Sequence, residues 1–177
     1  MPGLPPDVAA DLAHWLEHVV IAERFCPFAA RPYRDDEVYL EALPPARDRA
    51  LAVVYARAAQ MDQHPSPETT LLVDAAGALG DFPTFVAFQT LAEELLERHF
   101  PGAYVTAGFH PDYRFADLEP DEATHELHRS PYPVVQLLRR ESVAFAKTHY
   151  DVPALLERNR RRARELGPDF FRDRRRR

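Results

Sequence analysis

The chain has 177 residues, of which 46% are hydrophobic and 28% charged, and its formal net charge is -6. This length and composition predict one globular domain with its own core, which excludes collagen, coiled coil and full disorder, and the negative charge disfavours nonspecific nucleic-acid binding. Apolar runs are far shorter than the ~20 residues of a membrane span. Residues 1–6 lack the basic start and apolar core of a secretory signal, and Cys26, the single cysteine, has no partner for an internal disulfide. The sequence therefore predicts a cytoplasmic protein with no membrane partner.

The first half of the chain predicts helices and strands in alternation, at Asp7–Cys26, Glu37–Glu41, Pro44–His64 and Thr69–Val73. Asp7 is a good N-cap residue ahead of an apolar pattern with helical spacing, and Pro27 ends that pattern. The segment at 37–41 alternates polar and apolar residues, as a short strand does. Thr69–Val73 is β-branched and apolar, which predicts the central strand of the sheet.

The second half continues with a long amphipathic helix from Asp81 that ends at Pro101-Gly102, and with a strand at Ala103–Phe109. Residues 110–130 are polar, acidic and without clear periodicity, and a loop of ~20 residues inside a compact domain is usually functional or disordered. Apolar residues then predict helices at Pro131–Tyr150 and Pro153–Leu166, with Gly167-Pro168 ending the last one.

The resulting order, αβαβαβαα, predicts an α+β fold, with α/β as the alternative. A small sheet of three or more strands is expected to be covered by four to five helices. Residues 1–167 are predicted to form one globular domain, followed by a basic, flexible tail at 168–177. The tail is not expected to bind nucleic acid, because the body is acidic and Phe170-Phe171 suits an anchor for the chain end better than a platform for bases.

Polar clusters flank the predicted strands, where small-molecule sites in sheet proteins are common. Ser130 is the predicted N-cap of a helix that begins with Pro131, so its free N–H groups, together with Arg129 and Tyr132, suit a carboxylate or phosphate. The alternative is an ordinary capped helix beside a surface arginine.

His110 directly follows a predicted apolar strand, where a histidine can act as a general acid or base. Glu68, which precedes the central strand, and Asp112 are the two candidates to orient the imidazole. Thr69 and Tyr113 are candidate substrate-binding residues. Cys26 is a candidate nucleophile if a neighbour lowers its pKa. The alternatives are a structural histidine and a buried, unreactive cysteine, and the aromatic residues Phe25 and Phe28 around the thiol favour the second.

A metal site is a further alternative, because His125 and His128 lie three residues apart and His110 precedes them in the same loop. Histidine and carboxylate sets of this kind suit zinc or iron. No cofactor is predicted, since neither the dinucleotide fingerprint nor the P-loop motif occurs in the chain.

The same clusters resemble the bacterial proteins grouped as domain-of-unknown-function family 1415, through Cys26–Ala29, Glu68–Leu72, Phe109–Phe115, Arg129–Pro133 with Leu137–Arg139, and Glu157–Asn159. These stretches occur in the family's order over nearly the whole chain. The resemblance implies a shared fold and a shared site built from Cys26, Glu68, His110, Tyr113, Arg129 and Ser130. It implies no reaction. The family pattern has asparagine where this chain has Arg24 and His128.

The leading interpretation is a small cytosolic enzyme that acts on an anionic small molecule, with His110 as acid or base and Arg129 as the anion anchor. A second is a non-catalytic binding or regulatory module that uses the aromatic and arginine residues of the same clusters as a partner surface. A third is metal binding through His110, His125 and His128. The substrate, the reaction and the oligomeric state are left open by the sequence.

Overall fold

The computed structural model describes residues 3–175, and within them four strands form one sheet. The strands are β1 (Val38–Ala42), β2 (Thr69–Val73), β3 (Tyr104–Phe109) and β4 (Val134–Arg139). The α-helices are α1 (Pro6–Trp15), α2 (Ala30–Arg34), α3 (Arg47–Gln63), α4 (Phe82–His99), α5 (Arg140–His149) and α6 (Val152–Arg174). A π-helical segment continues α1 over Leu16–Ile21, and a 3₁₀ helix spans Ala123–His128.

The sheet has the strand order β1-β2-β4-β3. β1 pairs with β2 in parallel, whereas β4 runs antiparallel to both β2 and β3. The α+β class predicted from the sequence is confirmed. Because β1, β2 and β3 share one direction, their carboxyl ends lie along one edge of the sheet, here called the carboxyl edge. Their amino ends lie along the opposite edge, here called the amino edge.

Helices cover both faces of the sheet. Leu72 packs with Phe85 and Phe88 of α4, in a core that also includes α3. Leu71 packs on the other face with Trp15 of α1, in a core that also includes residues of α6. Successive strand side chains point to opposite faces, so β2 is buried on both sides. This explains why the central strand, predicted correctly, consists of β-branched and apolar residues.

The helix predicted at Pro131–Tyr150 is wrong, because its first part is the strand β4 and only Arg140–His149 is helical. Val134 and Val135 are 0% exposed, with β2 and β3 on either side. A short apolar run that is buried on both faces shows no alternation, so periodicity alone does not distinguish such a strand from a buried helix.

The last helix also differs from its prediction. Gly167 has a left-handed φ of 71° and bends α6, but the helix resumes and continues to Arg174. Phe171 is 2% exposed and stacks on Phe25 at 5.9 Å between ring centroids. Arg175 forms an ion pair with the buried Glu126. The predicted flexible tail is therefore packed on the body as far as residue 175, and the final two arginines lie outside the described residues.

Candidate functional site

The predicted site residues lie at two opposite edges of the sheet. Thr69 at the start of β2 pairs with Leu138, and its hydroxyl donates to the Leu137 carbonyl at 2.7 Å. Glu68 precedes Thr69 and thus lies at the amino edge. His110 follows β3 and lies at the carboxyl edge. The prediction that Glu68 orients His110 is wrong, because the two residues lie at opposite ends of strands that run in the same direction.

Cys26 lies in the turn between the π-helical segment and α2. Its neighbour Phe28 makes an edge-to-face contact with Tyr150 at 4.7 Å, and the Asn159 side chain donates to the Phe25 carbonyl at 2.8 Å. Burial raises the pKa of the Cys26 thiol, and hydrogen bonds with the backbone amides of Phe28 and Ala29 offset this only in part. The protonated, weakly nucleophilic thiol is therefore the form favoured at neutral pH.

We expect native Cys26 to react with a thiol reagent at pH 7 more slowly than free cysteine does, because its raised pKa leaves less thiolate. Stopped-flow or spectrophotometric titration of the native protein measures the rate, and the unfolded protein in denaturant is the reference. A native rate above that of the unfolded chain would contradict this account and restore Cys26 as a candidate nucleophile.

His110 is fully enclosed at the carboxyl edge, with 0% of its surface exposed. The Asp112 amide donates to Nδ1 at 3.0 Å, so the ring hydrogen lies on Nε2, which donates to the Leu79 carbonyl at 3.1 Å. Phe82 and Phe85 pack against the ring, with centroid distances of 5.4 and 5.2 Å. Both ring nitrogens are thus used in holding two backbone segments together, and neither is left to move a proton to or from a ligand.

His125 is used in the same way. The Phe115 amide donates to its Nδ1 at 3.1 Å, and its Nε2 donates to the Glu119 carbonyl at 2.8 Å. Metal coordination needs a nitrogen lone pair, which these bonds occupy in His125 and in His110. No cluster of three or more His, Cys, Asp or Glu residues suited to a metal ion occurs among residues 3–175. The metal interpretation through His110, His125 and His128 therefore does not fit this geometry.

His128 donates from Nδ1 to the Gly108 carbonyl at 3.0 Å and packs on Phe109 and Tyr113. Burial lowers the pKa of His128, and its hydrogen bond to Gly108 opposes this more weakly. The folded protein therefore favours the neutral imidazole.

We expect His128 to make the fold less stable as the pH falls below about 6.5, the pKa of an unperturbed histidine. There the unfolded chain takes up a proton that the folded protein excludes, so stability is present above this pH and is lost as the pH falls toward the lowered folded pKa. His128→Asn keeps a donor for the Gly108 carbonyl without the titration. Urea unfolding at pH 7.5 and 5.5 is expected to show a smaller loss in the variant, and equal losses would contradict the assignment.

Arg129 is engaged in an ion pair. Its Nη1 lies 2.6 Å from a Glu126 carboxylate oxygen, and its Nε donates to the Tyr113 carbonyl at 3.2 Å. Glu126 is itself buried and pairs on its other oxygen with Arg175. The predicted anion anchor is thus neutralised by the protein's own carboxylate.

Ser130 does not cap a helix, because β4 rather than a helix follows it, and its hydroxyl donates to the Tyr132 carbonyl. The predicted anion site at a helix N-terminus is therefore wrong. The Tyr132 hydroxyl donates to Asp11 at 3.0 Å.

Tyr113 and Phe115 are half-buried and pack on each other at 5.1 Å and on His128. These aromatic residues form a packed cluster and not a flat exposed surface.

A separate cavity of about 210 Å³ lies at the carboxyl edge, where β1 and β2 end. It is bounded by the segment after β1, the loop after β2, and the first turns of α3 and α4. Its walls are mostly apolar, and the polar residues that line it are Arg47, Asp74 and Thr84. Ligands of sheets with parallel strands bind preferentially outside the carboxyl ends of those strands. This cavity is therefore the best candidate for a ligand site.

The cavity holds two groups of opposite charge. Arg47 is exposed and makes no hydrogen bond or ion pair with any of residues 3–175. Asp74 is 2% exposed, and its two carboxylate oxygens accept from the amides of Ala76 at 3.2 Å and Leu79 at 2.6 Å. The first turn of α3, which begins at Arg47, has no side-chain cap, whereas Asp81 caps α4 through the Thr84 amide at 3.0 Å.

His110 is hydrogen-bonded to Leu79, a residue of the cavity wall. Leu79 lines the cavity, its amide donates to Asp74 and its carbonyl accepts from His110 Nε2. The loop between β2 and α4 is thus held by hydrogen bonds at both the amide and the carbonyl of Leu79. His110 is therefore a positioning residue for the cavity wall.

Sequence reasoning missed Arg47, Asp74 and Thr84. Asp74 carries a signal that could have found it, because it directly follows the strand predicted to be central. A second signal lies at the start of α3. Pro44-Pro45 precede this helix, but no Ser, Thr, Asp or Asn caps it, so its first amides lack a side-chain partner. Nothing in the sequence brings these two segments together, since their proximity depends on β1 lying beside β2.

The molecule is an α+β protein with helices on both faces of a mixed sheet and a small cavity at the carboxyl edge. It belongs to the family described as "Protein of unknown function (DUF1415)", whose model matches residues 7–173 of the 177-residue chain. The resemblance found in the sequence is thereby confirmed. Neither the curated proteins nor the solved structures contain a match. Within residues 3–175, no helix combines the length and apolar character needed to cross a membrane.

Proposed function

We propose that the protein binds a small organic anion in the cavity at the carboxyl edge, with Arg47 as the anion anchor. The observation that carries this proposal is that Arg47, which has no partner among the described residues, lies beside a helix end without a side-chain cap, both at an apolar cavity. Arg47 replaces Arg129 in this role because Arg129 is already paired with Glu126. The anionic ligand class expected from the sequence is kept, but its place in the fold is different.

The first turn of α3 supports an anion at this position. The first backbone N–H groups of a helix have no partner within the helix, and the helix dipole favours negative charge there. The α3 helix has 17 residues, and Ala46 at its N-cap offers no side-chain oxygen. A ligand carboxylate or phosphate would accept from these amides and from the Arg47 guanidinium together.

The cavity walls restrict the rest of the ligand. Leu43, Pro44, Leu79 and Leu91 give the cavity an apolar lining, which suits an aliphatic body attached to the anionic group. At about 210 Å³ the cavity is smaller than the ~300–1,000 Å³ pockets that hold drug-sized ligands. A short carboxylic acid is therefore favoured over a nucleotide.

Binding of short aliphatic and aromatic carboxylates, such as 4-methylpentanoate and benzoate, tests this proposal. Thermal shift and calorimetry are the measurements, because a ligand at 100 times its dissociation constant adds ~2.7 kcal/mol to stability. Arg47→Ala is expected to weaken binding about tenfold or more, since a hydrogen bond to a charged group contributes ~1.5–3 kcal/mol.

Arg49→Ala is the matched control, because Arg49 is an exposed arginine in the same helical turn that does not line the cavity. It is expected to leave binding within about twofold of wild type, as distant surface changes usually do. If no carboxylate of this panel binds, the proposal falls. Binding that depends on Arg129 and not on Arg47 would return the site to the cluster first predicted from the sequence.

A further inference from the structure

We propose that the ligand of this cavity is an α-amino acid with a short apolar side chain, its carboxylate bound at Arg47 and its ammonium group at Asp74. This inference rests on the proposed function and adds a second, oppositely charged binding group to it. Both groups line the same cavity. They form no ion pair with each other, so each is available to one end of a zwitterion.

Asp74 is the residue that points to an ammonium group. It is 2% exposed, and carboxylates are almost never fully buried in proteins unless a cation pairs with them. Among residues 3–175, Asp74 has only the two backbone amides of Ala76 and Leu79 as donors. Each carboxylate oxygen can accept a second hydrogen bond. A ligand ammonium group would supply three hydrogen-bond donors and the positive charge that a buried carboxylate requires as a partner.

The position of Asp74 is held firmly, as a binding group requires. Its own amide donates to the Pro133 carbonyl at 2.9 Å, next to β4. Its carboxylate holds Leu79, whose carbonyl is held in turn by His110. A group fixed in this way loses little conformational entropy when a ligand binds. His110 therefore contributes to recognition by orienting Asp74 and its loop.

The two charged groups lie on neighbouring elements of the fold that line one cavity. The cation at the first turn of α3 and the carboxylate after β2 lie at neighbouring strand ends, since β1 and β2 are adjacent and parallel. Apolar residues from both helices form the remainder of the wall. An α-amino acid carries its ammonium group, its carboxylate and its side chain on one carbon atom, so the side chain would occupy the apolar part.

Three probes that differ by one group separate the two charged contacts in the wild-type protein. They are L-leucine, 4-methylpentanoate, which lacks the ammonium group, and 3-methylbutylamine, which lacks the carboxylate. Calorimetry at pH 7 is expected to show leucine binding at least about tenfold more tightly than 4-methylpentanoate, and the amine binding most weakly. These measurements need no variant and do not depend on whether a substituted chain folds.

Asp74→Asn tests the residue directly. It is expected to remove the advantage of leucine over 4-methylpentanoate and to leave the affinity for 4-methylpentanoate within about threefold of wild type. Asp48→Asn is the matched control, because Asp48 is an exposed aspartate in the first turn of α3 that does not line the cavity. It is expected to keep the full advantage of leucine. Circular dichroism checks that both variants are folded.

The outcomes separate the two proposals. If 4-methylpentanoate binds through Arg47 and leucine binds no better, the amino-acid inference is overturned and the proposed function stands. If the amine binds more tightly than both carboxylates, or if neither carboxylate binds, the proposed function itself is overturned and the inference falls with it. An advantage for leucine that survives Asp74→Asn would overturn the assignment of the ammonium site to Asp74.

Discussion

Replacing His110 with alanine is expected to lower the free energy of unfolding by about 3–5 kcal/mol. The imidazole is 0% exposed, so its removal leaves a space beside Phe82 and Phe85 that the surrounding side chains fill only in part. The Leu79 carbonyl and the Asp112 amide also lose their hydrogen-bond partner inside the protein. Urea unfolding of both proteins, analysed with a common slope, gives the difference.

His64→Ala is the control for this experiment, because His64 is exposed and its side chain makes no hydrogen bond within the described residues. Its effect is expected to stay within about 0.5 kcal/mol. A loss below about 1 kcal/mol for His110→Ala would contradict the structural role described above.

Replacing Phe171 with alanine is expected to lower the free energy of unfolding by about 3–4 kcal/mol, within the range for large aromatic residues in cores. Phe171 is 2% exposed, stacks on Phe25 and belongs to the core between the sheet, α1 and α6. The sequence predicted this residue to lie in a flexible tail, for which truncation to alanine would change little. Thermal or urea unfolding thus distinguishes the packed chain end from a mobile one.

Phe145→Ala is the matched control, since Phe145 is a phenylalanine with 64% of its surface exposed. Its effect is expected to stay near zero, within about 0.5 kcal/mol. Similar losses for the two variants would mean that burial does not explain the cost at position 171. A cost near zero at both positions would contradict the packing of α6 after Gly167.

Local sequence signals predicted most of the elements correctly. The central strand was predicted at Thr69–Val73, the residues it occupies, because β-branched and apolar residues without alternation are typical of a strand buried on both faces. The helix from Asp81 begins where its capping aspartate and the following proline indicate. The strand β4 was missed because its run of apolar residues carries no period of two, and because prolines such as those before it are also favoured at the start of helices.

The candidate site was harder to predict because it depends on strand order. Glu68 and His110 flank strands of one sheet, but they lie at opposite edges once the parallel direction of β2 and β3 is known. The partners of Arg129 include Glu126, three residues away, a pairing that local spacing permits but does not require. Arg47 and Asp74 come together only through the parallel pairing of β1 and β2.

Chemical-shift mapping by NMR tests most directly whether ligands bind in the cavity at the carboxyl edge. The probe is 4-methylpentanoate, added to the uniformly ¹⁵N-labelled protein. We expect the largest amide shifts at Arg47, Asp74 and Leu79, which line the cavity. Shifts centred instead on Cys26 or Arg129, with the cavity residues unchanged, would contradict the account.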